Sequence, residues 1–259
     1  MSLLDPVSHA LAAVIAAAHA GLTALGSDPD SGTTWLLCVA AVVAVRMLLL
    51  PLAVHGVRQA HAVARARPQL RELRRRHEGR TDPDRLRAYA EERRRLAAEH
   101  GLSRLGCLPL LLQLPIWLAL YHLLVTVADG SPVGALGSGL VASLGAATVL
   151  GVPLAERGYL GGGPGHLAVV AGLAVAAATL SYVTQRFLVA PNTVVDDLPQ
   201  SVARAQQLMP ALSAVGLLVA GGAVPVALLA YWLLNGVWTL GQSAVVRFRF
   251  PTPGSPAAG

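Results

Sequence analysis

The stretch LLCVAAVVAVRMLLLPLAV, Leu36–Val54, decides the fold. An apolar run of about 20 residues is what a helix needs to cross roughly 30 Å of hydrocarbon. Only Arg46 is at odds with that solvent. It lies about nine residues from the end of the run, roughly 13 Å at 1.5 Å rise per residue. Inserting a central arginine costs about 2.5–3.5 kcal/mol. Snorkelling is strained at that depth, because the side chain covers only part of the distance. An internal ion pair needs an acid, and every Asp and Glu falls outside the expected spans. A water-filled cavity facing the cytoplasm is the remaining way to hold the charge.

The rest of the chain fits a polytopic membrane protein. Of its 259 residues 54% are hydrophobic and only 13% charged, against about 25% charged in ordinary soluble domains. All twenty Lys and Arg positions are arginine. The glycine cluster GGGPG, Gly161–Gly165, therefore has no lysine with which to act as a phosphate-binding loop. Cys38 and Cys107 sit in or beside apolar runs, which does not suit a disulfide framework.

Residues 1–32 carry apolar side chains at helical spacing but no basic leader, and read as an amphipathic helix on the outer membrane face. Span one covers 33–54. Residues 55–104 hold fourteen of the twenty arginines against seven acids, a net +7 in a chain of +6. The positive-inside rule makes this segment cytoplasmic and puts the N-terminus outside. It reads as a helical hairpin, with Gly79 ending one arm, TDPD (Thr81–Asp84) restarting the second and Gly101 stopping it. Basic residues alternate there with glutamates, and Tyr89 is the only aromatic, so direct nucleic-acid binding is not expected. Span two covers 105–127, span three 166–189, span four 205–222 and span five 223–246; a cytoplasmic loop covers 190–204. Residues 128–165 read as an outer-face segment, and within it Val133–Ala155, rich in glycine and interrupted by Pro153, as a peripheral helical segment. Counting them as a sixth span would move Arg186, Arg204, Arg247 and Arg249 outside. Residues 247–259 form a short cytoplasmic tail, basic at first and then disordered.

Gln113, Gln185, Asn235 and Gln242 could line a cavity around Arg46, with Tyr231 and Trp232 supplying a polar tip and an aromatic wall. Each alone is worth about 0.6 kcal/mol as glue between helices; together they suggest a hydrated groove. No serine pairs obviously with a histidine, and metal-ligand spacing is absent, so neither bond-making catalysis nor a cofactor is expected.

GCLPLLLQLPIWLALYHLL, Gly106–Leu124, resembles the second core span of the YidC family of membrane protein insertases, through Cys107, Pro109, Pro115 and Trp117. Arg46 followed by Leu50 and Pro51 resembles the family's first span. RPQLRELRRRHEG (Arg67–Gly79) resembles its first cytoplasmic arm. LMPALSAV and LAYWLLNGVWTLGQ resemble its last two spans. The resemblance runs from Trp35 to Arg249 and is of actinobacterial type. It implies an all-α membrane protein with a five-span core around a hydrophilic groove, a cytoplasmic hairpin and an outer amphipathic helix. It also implies an insertase and chaperone, not an enzyme, that moves client segments from cytoplasm to bilayer without nucleotide hydrolysis. Arg46 would be the groove's charge, Gln113, Gln185 and Asn235 polar lining, and Tyr231 and Trp232 contacts for the client. Partners would be newly made membrane proteins and lipids, with a ribosome and a Sec-type translocon as further candidates. The location would be the bacterial cell membrane. Trp117 and Trp232 stand where Phe and Tyr are commoner, and a tail with only Arg247 and Arg249 argues against ribosome binding through it. An anion transporter using Arg46, or a scaffold for membrane complexes, are the alternatives; a transporter predicts an internal repeat, and none is seen.

Overall fold

The computed structural model describes residues 4–77, 82–101, 108–160, 162–193 and 200–258. It is almost entirely helical: α1 (Asp5–Ala24), α2 (Gly32–Leu48), α3 (Leu50–His77), α4 (Pro83–Glu99), α5 (Leu108–Ala128), α6 (Ser138–Ala146), α7 (Gly163–Val183), α8 (Gln200–Gly221) and α9 (Val226–Arg249). One small antiparallel hairpin, β1 (Thr148–Val149) and β2 (Val152–Pro153), follows α6. By length and composition α1, the continuous helical stretch Gly163–Asn192 and Ser201–Gly221 can each cross a bilayer, and α2 with α3 makes a fourth if the bent pair is one span.

The α2–α3 bend is 49° and follows directly after Arg46. Pro51 has no N–H to give the Met47 carbonyl, so the helical ladder fails there. The Leu49 amide instead bonds the Arg46 carbonyl at 3.0 Å, a tightened last turn. Arg46 therefore sits at a helix C-terminus, where the peptide dipoles favour a cation.

Beyond the bend, α3 continues to His77 with Pro68 inside it, and α4 returns beside it with Pro83 in its first turn. Gly101, at φ +63°, follows the end of α4. His77 packs on Tyr89 across the two arms, with ring centres 5.3 Å apart. Exposed pairs such as Arg76–Glu72 and Arg95–Glu99 run along the arms and are worth little individually. Gly79 and Thr81 lie outside the described residues.

The core is gathered at one end of the bundle. Trp35, Cys38, Val39, Val42 and Val43 come from the part of α2 that precedes Arg46, and Ala119, Leu120, Leu123, Leu124 and Val127 from the second half of α5. Val170 and Ala174 come from early α7, and Val226–Leu229 and Tyr231 from the start of α9. α1 adds Leu11, Ala12 and Ile15, the face it turns to α2 and α5. The segment between α5 and α7 caps this end, with Leu136, Leu144, Val152 and Leu154 buried in the same cluster.

That cap differs from the peripheral helix expected over Val133–Ala155. Helix forms only over the nine residues of α6, about 13.5 Å and far short of a span. Leu150 (φ 51°) and Gly151 (φ 80°) then make the hairpin turn, whose twist matches two-residue connections. The chain next adds to the start of α9: the Val226 amide bonds the Glu156 carbonyl and the Ala227 amide the Leu154 carbonyl, both at 2.9 Å. Arg157 reaches Asp129 at 2.6 Å and the Val125 carbonyl at 3.0 Å, tying the cap to the end of α5. The Tyr159 hydroxyl donates to the Leu218 carbonyl of α8. Burial pushes that phenol's pKa up, keeping it a donor. His166 Nε2 meets the Gly158 carbonyl at 2.8 Å while Nδ1 lies 2.8 Å from Glu156.

The segment after α9 is ordered rather than disordered. The Thr252 amide bonds Asn192 Oδ1 at 2.7 Å and the Ala257 amide bonds the Pro191 carbonyl at 3.0 Å. Phe250 offers its carbonyl to His61 of α3 at 3.1 Å. Its prolines limit the unfolded chain's freedom, so docking the segment costs less entropy.

Candidate functional site

Away from the capped core, several polar residues of the spans meet. Arg46 donates from Nη1 to Asn235 Oδ1 of α9. No carboxylate pairs with Arg46 among the described residues, so the guanidinium is oriented by a neutral amide. Beside Asn235 lies a cavity of about 270 Å³ between α5, α7, α8 and α9. Trp117 and Trp232 contribute aromatic walls; Ser181, Thr184, Gln185, Ser213, Asn235 and Thr239 contribute polar ones.

This lining follows from local structure. Trp232, Asn235, Gly236 and Thr239 recur at helical spacing on one face of α9. The Thr239 hydroxyl is tied back to the Asn235 carbonyl at 2.7 Å, which leaves the Asn235 side chain to Arg46. A Cβ on Gly236 would lie 3.3 Å from Leu180, so glycine lets α9 approach α7 closely. Ser181 near the end of α7 and Gln185 just beyond it are one turn apart. Gln185 Nε2 donates to the Ser181 hydroxyl at 3.0 Å and to Ser213 Oγ of α8 at 2.8 Å, and the two hydroxyls are 3.0 Å apart.

At the same level α7 passes into a π-helical turn, Thr184–Val189. Such turns shift the backbone register and are frequent at functional sites. Here the turn sets the adjacent residues Thr184 and Gln185 on one cavity. Thr184 is 4% exposed, and its hydroxyl has no hydrogen-bond partner among the described residues. A buried hydroxyl facing a polar cavity is what ordered water satisfies.

Of the residues singled out in the sequence, Arg46, Gln185, Trp232 and Asn235 meet at this place, with Trp117 of the span-two motif. Trp117 is 42% exposed and stacks on Tyr121 at 6.3 Å. Tyr231 is outside the lining of this cavity and 5% exposed in the core, yet near enough to Arg46 to feel its charge. It precedes Asn235 by one helical turn but falls at the tightly packed end of α9. Gln113 and Gln242 are half-buried and outside the cavity lining. Pro109 stands in the first turn of α5, where its missing N–H costs nothing, and Pro115 lies inside that helix. Cys107 lies outside the described residues. Ser181, Thr184, Ser213 and Thr239 were missed. Their only sequence signal is a hydroxyl one turn from an already noted amide, and serine and threonine are common in spans as backbone partners.

The family model described as the 60Kd inner membrane protein matches residues 27–252. The chain belongs to this family. A protein from Streptomyces avermitilis named membrane protein insertase YidC is 32% identical over 242 residues, covering 88% of this chain and 54% of that relative. Proteins of the same name from Bifidobacterium longum and Mycobacterium tuberculosis are 26% and 28% identical. The matches cover 99% and 84% of this chain, and 78% and 66% of the respective relatives. The chain thus spans about half the length of the Streptomyces relative. The relatives' names carry no catalytic activity. Membership and the apolar helices make the chain a multi-pass protein of the bacterial membrane.

Proposed function

We propose that the chain is a membrane protein insertase and chaperone, which moves client segments from the cytoplasm into the bilayer without nucleotide hydrolysis. The observation that carries this reading is the hydrogen bond from Arg46 to a neutral amide beside a polar cavity among apolar helices. An arginine half-buried among apolar helices without a counter-charge is costly to keep for stability alone. One oriented by Asn235 retains charge for a client group.

In this mechanism a short acidic or polar client segment enters the cavity. Hydroxyl, amide and water partners replace part of its hydration, which lowers the cost of leaving bulk water. A charge-assisted bond to Arg46 adds on the order of 2 kcal/mol. The client's apolar segment leaves sideways into lipid, where burial drives the step by roughly 25 cal/mol per Å². A membrane potential positive outside assists acidic groups moving outward by about 2.3 kcal/mol per charge per 100 mV.

The topology that suits this work has five spans, α2 with the start of α3, then α5, α7, α8 and α9. The N-terminus lies outside, the end of the chain is cytoplasmic, and α1 rests on the outer face. The cap closes the outer side. The basic hairpin α3–α4 receives clients at the cytoplasmic entrance, where a ribosome or a Sec-type translocon delivers them. The test is protease protection of a single-span client with an acidic N-terminal tail, in liposomes with and without the purified protein. Protein-dependent protection is expected. Protection no better than in empty liposomes, with accelerated anion flux instead, would make the chain a transporter.

A further inference from the structure

A second polar cavity, of about 490 Å³, adjoins the first. It lies between the π-helical turn after α7 and the first half of α8, and its walls include Arg186, Thr193, Ala203, Gln206 and Gln207. Gln185 is in the wall of both cavities. The α8 lining is one continuous strip: Ala203, Gln206, Gln207 and Pro210 face this cavity, while Ser213 and Leu217 face the one beside Asn235. That is the 3–4 residue spacing of a single helix face. From Gln206 to Ser213 the strip rises about 10 Å.

Both walls carry interrupted backbone. Across from the π-helical turn, Pro210 lies inside α8 and withholds an N–H from the Gln206 carbonyl. Irregular backbone at membrane depth is tolerated only inside protein or along a water-filled cavity, and these two interruptions face each other over the same space. Arg186 is exposed, and no carboxylate pairs with it among the described residues.

We propose that this cavity is the vestibule through which an acidic client segment, once received by the hairpin, reaches the groove, with Arg186 as the cation in its wall and Gln185 as the gate to Asn235 and Arg46. The assignment rests on the insertase reading above. Gln185 suits a gate, because its side-chain amide is held by two hydroxyls that can bond each other, at 3.0 Å, once it swings away. Opening therefore leaves no hydroxyl stranded. A segment passing the gate goes from an exposed arginine to a half-buried one without crossing hydrocarbon.

The vestibule can be blocked reversibly in the folded protein. Ala203→Cys in a Cys107→Ser background, with Cys38 shielded by burial, is labelled with a benzyl thiosulfonate in neutral-lipid liposomes. The label is then removed with a reductant. Insertion of the acidic-tail client should slow at least about fivefold on labelling and recover on reduction, while the background protein is unaffected. Separately, Arg186→Gln should slow the same client about threefold and flatten its dependence on salt. An unchanged rate in the blocked protein, while Arg46→Ala still impairs acidic clients, overturns the vestibule and leaves the insertase reading standing. Absence of insertion by the unlabelled protein removes both. A block effective only when anionic lipid is present would make the cavity a lipid-headgroup site and overturn its role as a client path.

Discussion

Asn235→Asp separates a structural arginine from a working one. Asparagine and aspartate are nearly isosteric, and Asn235 Oδ1 already accepts from Arg46 Nη1, so the substitution changes charge and little else. At about 4 Å and an effective dielectric near 20, the new pair gains about 4 kcal/mol of Coulomb energy. Desolvating the carboxylate removes most of it, so stability should be unchanged or slightly higher. For a client carboxylate the consequence is severe, because the pair it meets is neutral. Losing a charge-assisted bond of about 2 kcal/mol slows insertion roughly thirtyfold. Asn235→Leu works the other way: Arg46 keeps its charge but loses its partner, which costs about 1.5–3 kcal/mol of stability. Folded protein should still prefer acidic clients. The assay is the initial rate of protease protection in liposomes, for acidic and neutral tails, beside a melting curve for each variant. Wild-type insertion of acidic tails by Asn235→Asp would refute the claim that Arg46 acts through free charge.

Two further substitutions test the cap. At Gly32→Ala the new Cβ would overlap the Thr148 carbonyl oxygen of the hairpin; strain of about 1–3 kcal/mol should appear as a lower melting temperature. Arg157→Ala removes the 2.6 Å contact to Asp129 and the bond to the Val125 carbonyl, and should cost about 1 kcal/mol. Faster amide exchange at the start of α9 would report the loosened cap.

Much of the architecture is legible in the sequence because it rests on run length and charge. The apolar run around Arg46, the arginine-rich hairpin and the start of α4 at Pro83 all follow from hydrocarbon thickness and proline geometry. Arg46's lack of an acid was visible too, because every carboxylate could be placed outside the apolar runs. Its actual partner was not. Asn235 was one of several polar residues, and only the meeting of α2 with α9 selects it over Gln113. Tyr231 and Trp232 are adjacent in sequence, yet one is core and the other cavity wall, since neighbouring residues on a helix point about 100° apart. The π-helical turn at Thr184 has no pattern of its own, being a register shift forced by packing. The cap was misjudged because glycine-rich apolar sequence suits both a weak helix and a tight hairpin. Tertiary pairing to Val226 and Ala227 decides between them.

The central claim is that Arg46 draws acidic client segments into the membrane. The most direct measurement compares wild type with Arg46→Ala, both shown to be folded, on two clients that differ only in an acidic or a neutral translocated tail. The account predicts about a tenfold or greater loss for the acidic tail and little change for the neutral one. Equal losses for both tails, or none for either, would contradict it and leave Arg46 a structural residue.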